Sequence, residues 1–124
     1  MSQAVAIAAG GAAGALLRYW LSVAVYGWLG RGFPYGTLAV NVLGSFVMGF
    51  MFVLLIERVT TDGLWRAAIL IGLLGAFTTF STFSMETLNL VEQGALGKAA
   101  LNVVASVTLC LGGSWLGVVV GRAI

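Results

Sequence analysis

Five hydroxyls and three phenyl rings fall within the run Gly75-Ala76-Phe77-Thr78-Thr79-Phe80-Ser81-Thr82-Phe83-Ser84, inside a stretch otherwise apolar enough to cross a bilayer. Clustered hydroxyls add nothing to a lipid-facing helix. The β-branched threonines, with Gly72 and Gly75 just upstream, lower helical regularity. Non-helical backbone at membrane depth is tolerated only where its freed groups face protein, an ion or water. The run is therefore a candidate pathway, in a third helix expected to break near its middle.

Two further polar tracks can face it. On the second span Thr37, Asn41 and Gly44 lie within about 60° of one another, and on the fourth Asn102, Ser106 and Cys110 form a similar stripe. Amide N–H groups of the asparagines and O–H groups of Thr37, Ser81, Thr82, Ser84 and Ser106 make these tracks neutral and rich in donors, which suits an anion. Phe80 and Phe83 lie about 60° apart, and the electropositive rim of a phenyl ring presented edge-on can contact a small anion. Phe77 reads as ordinary packing. A membrane Asn or Ser more often bonds a neighbouring helix than a ligand, so the case rests on two tracks meeting one hydroxyl-rich helix. Two ionisable residues lie within the spans, Arg18 and Glu86. Exposing such a group to lipid costs about 2.5 to 3.5 kcal/mol even on lenient insertion scales, so each is a functional candidate by default. Arg18, near a helix end, would attract anions to a vestibule or snorkel to the interface. Glu86 lies deeper, with a cation or a neighbouring helix as its partner.

Enzyme chemistry is nearly excluded. The chain has no histidine, one cysteine and four acidic residues, of which Glu57, Asp62 and Glu92 lie in or beside loops. No metal cluster or nucleophile–base pair can be assembled from that set. Cys110 has no intrachain partner, which rules out a disulfide scaffold. Six dispersed basic residues and a net charge of +2 form no stripe or run, so nucleic acid is not a partner.

The elements that must position these residues follow from composition. With 124 residues, 60% of them hydrophobic and 8% charged, the chain carries more apolar surface than a soluble domain of its size can bury. It reads as an all-α membrane protein, one domain over 1–124, with four spans at about 4–26, 36–56, 67–91 and 99–121. Short connections make successive helices antiparallel neighbours. No Lys or Arg precedes Arg18, so the first span is expected to be retained rather than cleaved as a signal peptide. Small residues at four-residue intervals (Gly10 and Gly14, Ser45 and Gly49, Gly113, Gly117 and Gly121) permit close helix approach, within one bundle or at a dimer seam. Trp20, Tyr26, Trp28, Tyr35 and Trp65 sit near span ends as interfacial anchors. Arg58, Arg66 and Arg122 lie on one side, against Arg31, Lys98 and Arg18 on or toward the other. Without the usual bias of Lys and Arg, the chain either inserts both ways and pairs antiparallel with itself, or is oriented by smaller differences.

Taken together, Gly10-Gly11 through Gly14-Ala15 to Arg18-Tyr19, Gly36-Thr37-Leu38 with Val40-Asn41, Gly44-Ser45-Phe46 and Gly49, and Gly72 and Gly75 leading to Thr78-Thr79-Phe80-Ser81-Thr82-Phe83 resemble the Fluc/CrcB family of bacterial fluoride channels over essentially the full length. The third-helix motif is the specific one. The resemblance implies a dual-topology, antiparallel homodimer in the bacterial inner membrane, with two fluoride pores each lined by both subunits. It implies that Phe80 and Phe83 are pore phenylalanines, that Asn41 is a pore donor, and that Thr37, Ser81 and Thr82, with Asn102 and Ser106 less firmly, belong to the polar track. It also implies that the backbone carbonyls of Gly75 and Thr78 hold a structural sodium ion at the dimer centre. Arg18 would serve the vestibule and Glu86 would lie beside the pathway. Movement would be passive. A small multidrug-resistance-type proton-coupled exporter is the chief alternative, but such a carrier needs a carboxylate in its first helix, where this chain has Arg18.

Overall fold

The computed structural model describes residues 2–58 and 63–124; Asp62, read above as a loop residue, lies outside them. Among the described residues there are four helices long and apolar enough to cross a membrane, at Gln3–Leu29, Tyr35–Arg58, Gly63–Glu92 and Leu96–Ala123, and no strand. Caps fix both ends of the first helix. The Ser2 side chain accepts the Val5 N–H and starts the first helix. Gly30, at φ +82°, ends it and donates to the Tyr26 carbonyl. Gly94, at φ +81°, closes the third span, with its own N–H on Val91 and the Ala95 N–H on Leu90. The short 30–34 connection is tied to the start of the fourth helix by Lys98, whose Nζ donates to the Gly32 carbonyl at 3.1 Å.

Lipid supplies no hydrophobic drive between helices, so their association depends on close van der Waals contact. The glycine stripes provide it inside the subunit. A methyl at Gly10 or Gly14 would overlap the carbonyls of Ala68 or Leu73, and one at Gly72 would press on the Ile7 carbonyl, so the first and third helices meet backbone to backbone. The second and fourth helices meet likewise. A methyl at Gly49 would strike Ser114 and one at Gly117 would strike Phe46, both at the carbonyl, while Ser114 Oγ donates to the Ser45 carbonyl at 3.2 Å. Wide π-helical turns at Val53–Arg58 and Ala67–Leu73 adjust the helices where these contacts occur.

The third span is not regular throughout. Its leading segment ends with the helical turn Leu74–Phe77, Thr78 and Thr79 are extended (φ/ψ −86°/156° and −149°/115°), and helix resumes over Phe80–Glu92. Gly14→Leu is expected to lower the thermal midpoint of the purified protein in detergent, at a cost of roughly 1–3 kcal/mol from overpacking. Gly112→Ala, where a methyl meets nothing within 4 Å, should be neutral or slightly stabilising. Tryptophan fluorescence on heating checks both, and equal midpoints would contradict the packing described.

Candidate functional site

Thr78 and Thr79 leave helical geometry in the middle of a membrane-length segment, so their backbone groups need partners from elsewhere. Asn41 on the second helix supplies two. Its Nδ2 donates to the Thr79 carbonyl at 3.0 Å, and its Oδ1 accepts the Thr79 N–H at 2.8 Å. The side-chain amide thus stands in for a strand partner. Thr79 then caps the resumed helix, its Oγ1 accepting the Thr82 N–H at 3.2 Å and donating to Thr82 Oγ1 at 3.1 Å, with Ser81 Oγ 3.3 Å away. From the first helix, Arg18 Nε donates to the Ala76 carbonyl at 3.0 Å.

Against this interruption lies a groove of about 410 Å³ whose wall includes Asn41, Thr79, Phe80, Phe83, Ser106 and Cys110. The Phe80 and Phe83 rings are 5.3 Å apart and tilted by 47°. Phe80 is 78% exposed. The methyl of Thr78 and the ring of Phe77 sit where a Gly44 side chain would be, so the second helix can pass the interruption only because it carries glycine there. One N–H of the Asn41 amide has no protein partner among the described residues, and the Thr82 hydroxyl accepts a hydrogen bond from Thr79 and keeps its own hydrogen free to donate. Both are available to a ligand that accepts hydrogen bonds.

A family model described as CrcB-like protein, Camphor Resistance (CrcB), matches residues 5–118. The chain belongs to the CrcB family. Curated CrcB relatives carry the name fluoride-specific ion channel FluC. One from Methylococcus capsulatus is 62% identical over 94% of this chain, which spans 51% of that relative's length. One from Magnetococcus marinus is 56% identical over 95% of the chain and 96% of its own length, and one from Geobacter sulfurreducens is 48% identical over 98% of each. With four membrane-length helices, this CrcB chain is a multi-pass membrane protein.

The sequence-derived residues of this CrcB chain divide into groups. Asn41, Thr78, Phe80, Phe83 and Ser106 meet at the groove, and Ser81 and Thr82 join through Thr79. Asn102 is 1% exposed and committed to packing: its Nδ2 donates to Thr87 Oγ1 at 2.9 Å and its Oδ1 lies 3.4 Å from the Ser106 hydroxyl. Thr37, also buried, stands away from the groove beside Tyr26, with 3.5 Å between their hydroxyl oxygens. Glu86 is there too, accepting a hydrogen bond from the Tyr26 hydroxyl at 2.6 Å. Arg18 reaches across to the third span. It lies farther from the helix end than the sequence suggests, because the first helix continues to Leu29, roughly 16 Å further along, and its Nε is held by the Ala76 carbonyl. Tyr26, read as an interfacial anchor, is also the partner of Glu86. Thr79 and Thr87 were not singled out individually; the signal for Thr79 was its place one residue before the resumed helix, where a hydroxyl caps.

Asn41→Leu leaves both Thr79 backbone groups unpaired and is expected to cost about 2–6 kcal/mol at roughly 1–3 kcal/mol per buried group. Asn41→Asp keeps the acceptor but turns a carboxylate on the Thr79 carbonyl at membrane depth, and should cost at least as much. Thermal unfolding in detergent, with chromatography to report aggregation, checks the order. Wild-type midpoints in both would remove Asn41 from this role.

Proposed function

We propose that this chain is a subunit of a passive fluoride channel in the bacterial plasma membrane, assembled as an antiparallel, dual-topology homodimer with two pores. The observation that carries the reading is the Asn41-held interruption of the third span, which sets two phenyl rings, an amide N–H and a hydroxyl on one groove. Relatives named as fluoride-specific ion channels, identical at about half or more of the aligned positions, support it. Fluoride is small and strongly hydrated, so a pore has to replace its water with closely set donors and stay too narrow for larger halides. Asn41, Thr82 and Ser81 supply neutral donors, and the rims of Phe80 and Phe83 add weak positive edges. None carries a full charge, which allows an ion that has entered to leave. Exposed Phe80 would complete the pore against the second subunit.

The proposed sodium ion has a fitting donor set. The Thr79 N–H turns to Asn41 and the Thr82 N–H to Thr79 Oγ1, so the carbonyls of Gly75 and Thr78 receive no hydrogen bond among the described residues. Free backbone carbonyls at an interrupted helix suit an alkali cation. Bound there by both subunits, it would fasten the dimer and lend positive potential to the adjacent pores. Balanced charges favour dual insertion. A proton-coupled drug exporter lacks its first-helix carboxylate here, since Gln3–Leu29 contains no Asp or Glu.

Purified protein in liposomes is expected to discharge a fluoride gradient, followed by a fluoride electrode with a potassium shunt, and to retain chloride. Phe80→Ile and Phe83→Ile should each lower the rate by at least about tenfold while the protein still elutes as a dimer. Equal release of both halides, or a requirement for a proton gradient, would contradict the channel reading; wild-type rates in both variants would contradict the role of the rings.

A further inference from the structure

Gly10, Gly14 and Arg18 follow one another at four-residue intervals, on the face of the first helix that meets the third span. The two glycines bring the backbones together at Ala68 and Leu73. One turn further on, Arg18 reaches the point where the third span stops being helical, and its Nε donates to the Ala76 carbonyl at 3.0 Å. That carbonyl is an orphan of the interruption. A continuous helix would give it the Phe80 N–H, but Thr78 and Thr79 are extended and no such bond forms among the described residues. The carbonyls of Gly75 and Thr78 lose their helical donors too, because the Thr79 and Thr82 N–H groups turn to side chains. These oxygens end a helical run from Gly63 to Phe77, where peptide dipoles sum to about half a negative charge. A guanidinium is therefore bonded at the same negative end that offers free carbonyls to the proposed sodium ion.

We propose that Arg18 is a positioning residue for that cation: it withdraws the Ala76 carbonyl from the ligand set, leaving those of Gly75 and Thr78, and its fixed charge restricts the site to monovalent ions. The inference rests on the sodium reading above. Divalent cations are normally held by carboxylates, and no Asp or Glu occurs between Gly63 and Thr79. With ligands of no net charge, the nearest full charge decides which ion is tolerated. Electrostatic energy scales with the product of the charges, so Arg18 repels a divalent ion twice as strongly as a monovalent one, and an x-fold loss of sodium affinity becomes an x²-fold loss for calcium. Arginine suits the task because its charge cannot be lost by deprotonation, whereas a lysine readily shifts its pKa when buried.

Ala76-Phe77 is the chain's one Ala-Phe step, so carbonyl-¹³C alanine with ¹⁵N-phenylalanine isolates the Ala76 carbonyl in lipid bilayers. Arg18→Gln is expected to move that resonance upfield as the charge-assisted bond is lost. Cation binding is read separately, from the thermal midpoint of the purified protein titrated with sodium or calcium chloride at constant ionic strength, set with N-methylglucamine chloride. The wild-type midpoint should rise saturably with sodium and need far more calcium. In Arg18→Gln the half-saturating concentrations should fall about three- to tenfold for sodium and about ten- to a hundredfold for calcium. Arg18→Lys, which keeps the charge, should retain the wild-type calcium-to-sodium ratio, whereas a merely structural defect would shift both ions alike in both variants. An unchanged ratio in Arg18→Gln, a ratio lost equally in Arg18→Lys, or an Ala76 resonance that stays fixed overturns the proposal. A wild-type midpoint indifferent to sodium would sink the sodium reading and the proposal with it, a result distinct from a sodium response whose discrimination ignores Arg18.

Discussion

Backbone polar groups cannot be left to lipid, and the structure around residues 78 and 79 depends on that constraint. Two extended residues in a membrane-length segment expose donors and acceptors that a continuous helix would have paired. Asn41 meets both groups of Thr79 with one amide, and the Thr79 hydroxyl restarts the helix. The interruption is thus held from outside the third span by the second helix. It persists because returning to helix would strand the Asn41 amide, and removing Asn41 would strand Thr79.

Close packing lets so short a chain carry such a feature. Glycines bring the first helix onto the third and the second onto the fourth at backbone contact, and Gly44 lets the second helix pass over Thr78 and Phe77. With small residues used inside the subunit, the bulky ones point outward, Phe80 among them. An exposed phenyl beside a polar interruption suits completion by a second subunit better than contact with lipid, and so links the fold to the dimer proposed above.

Much of this was legible in the sequence, for a physical reason. Hydroxyls, an asparagine and glycines are costly or wasteful in a generic membrane span, so Thr78-Thr79, Asn41 and the Gly10/Gly14 and Gly113/Gly117 stripes stood out by residue type alone. Pairings between distant residues did not. The Tyr26–Glu86 bond joins positions 60 apart in sequence, and nothing in tyrosine's preference for interfaces distinguishes an anchor from a hydrogen-bond donor. The helical face of Asn102 could be read from its period, but not the bond its amide donates to Thr87, 15 residues away. Nor could the sequence show that Arg18 is held by the Ala76 carbonyl, 58 residues away.

The interruption itself is most directly tested by solid-state NMR of the wild-type protein in lipid. Phe77-Thr78 is the one Phe-Thr step in the chain, so carbonyl-¹³C phenylalanine with ¹³C,¹⁵N-threonine isolates the Thr78 spin system. The account predicts extended-type Cα and Cβ shifts for Thr78, in keeping with its ψ of 156°. Helical shifts at that residue would mean that the third span runs unbroken, and the clamp by Asn41 would have nothing to hold.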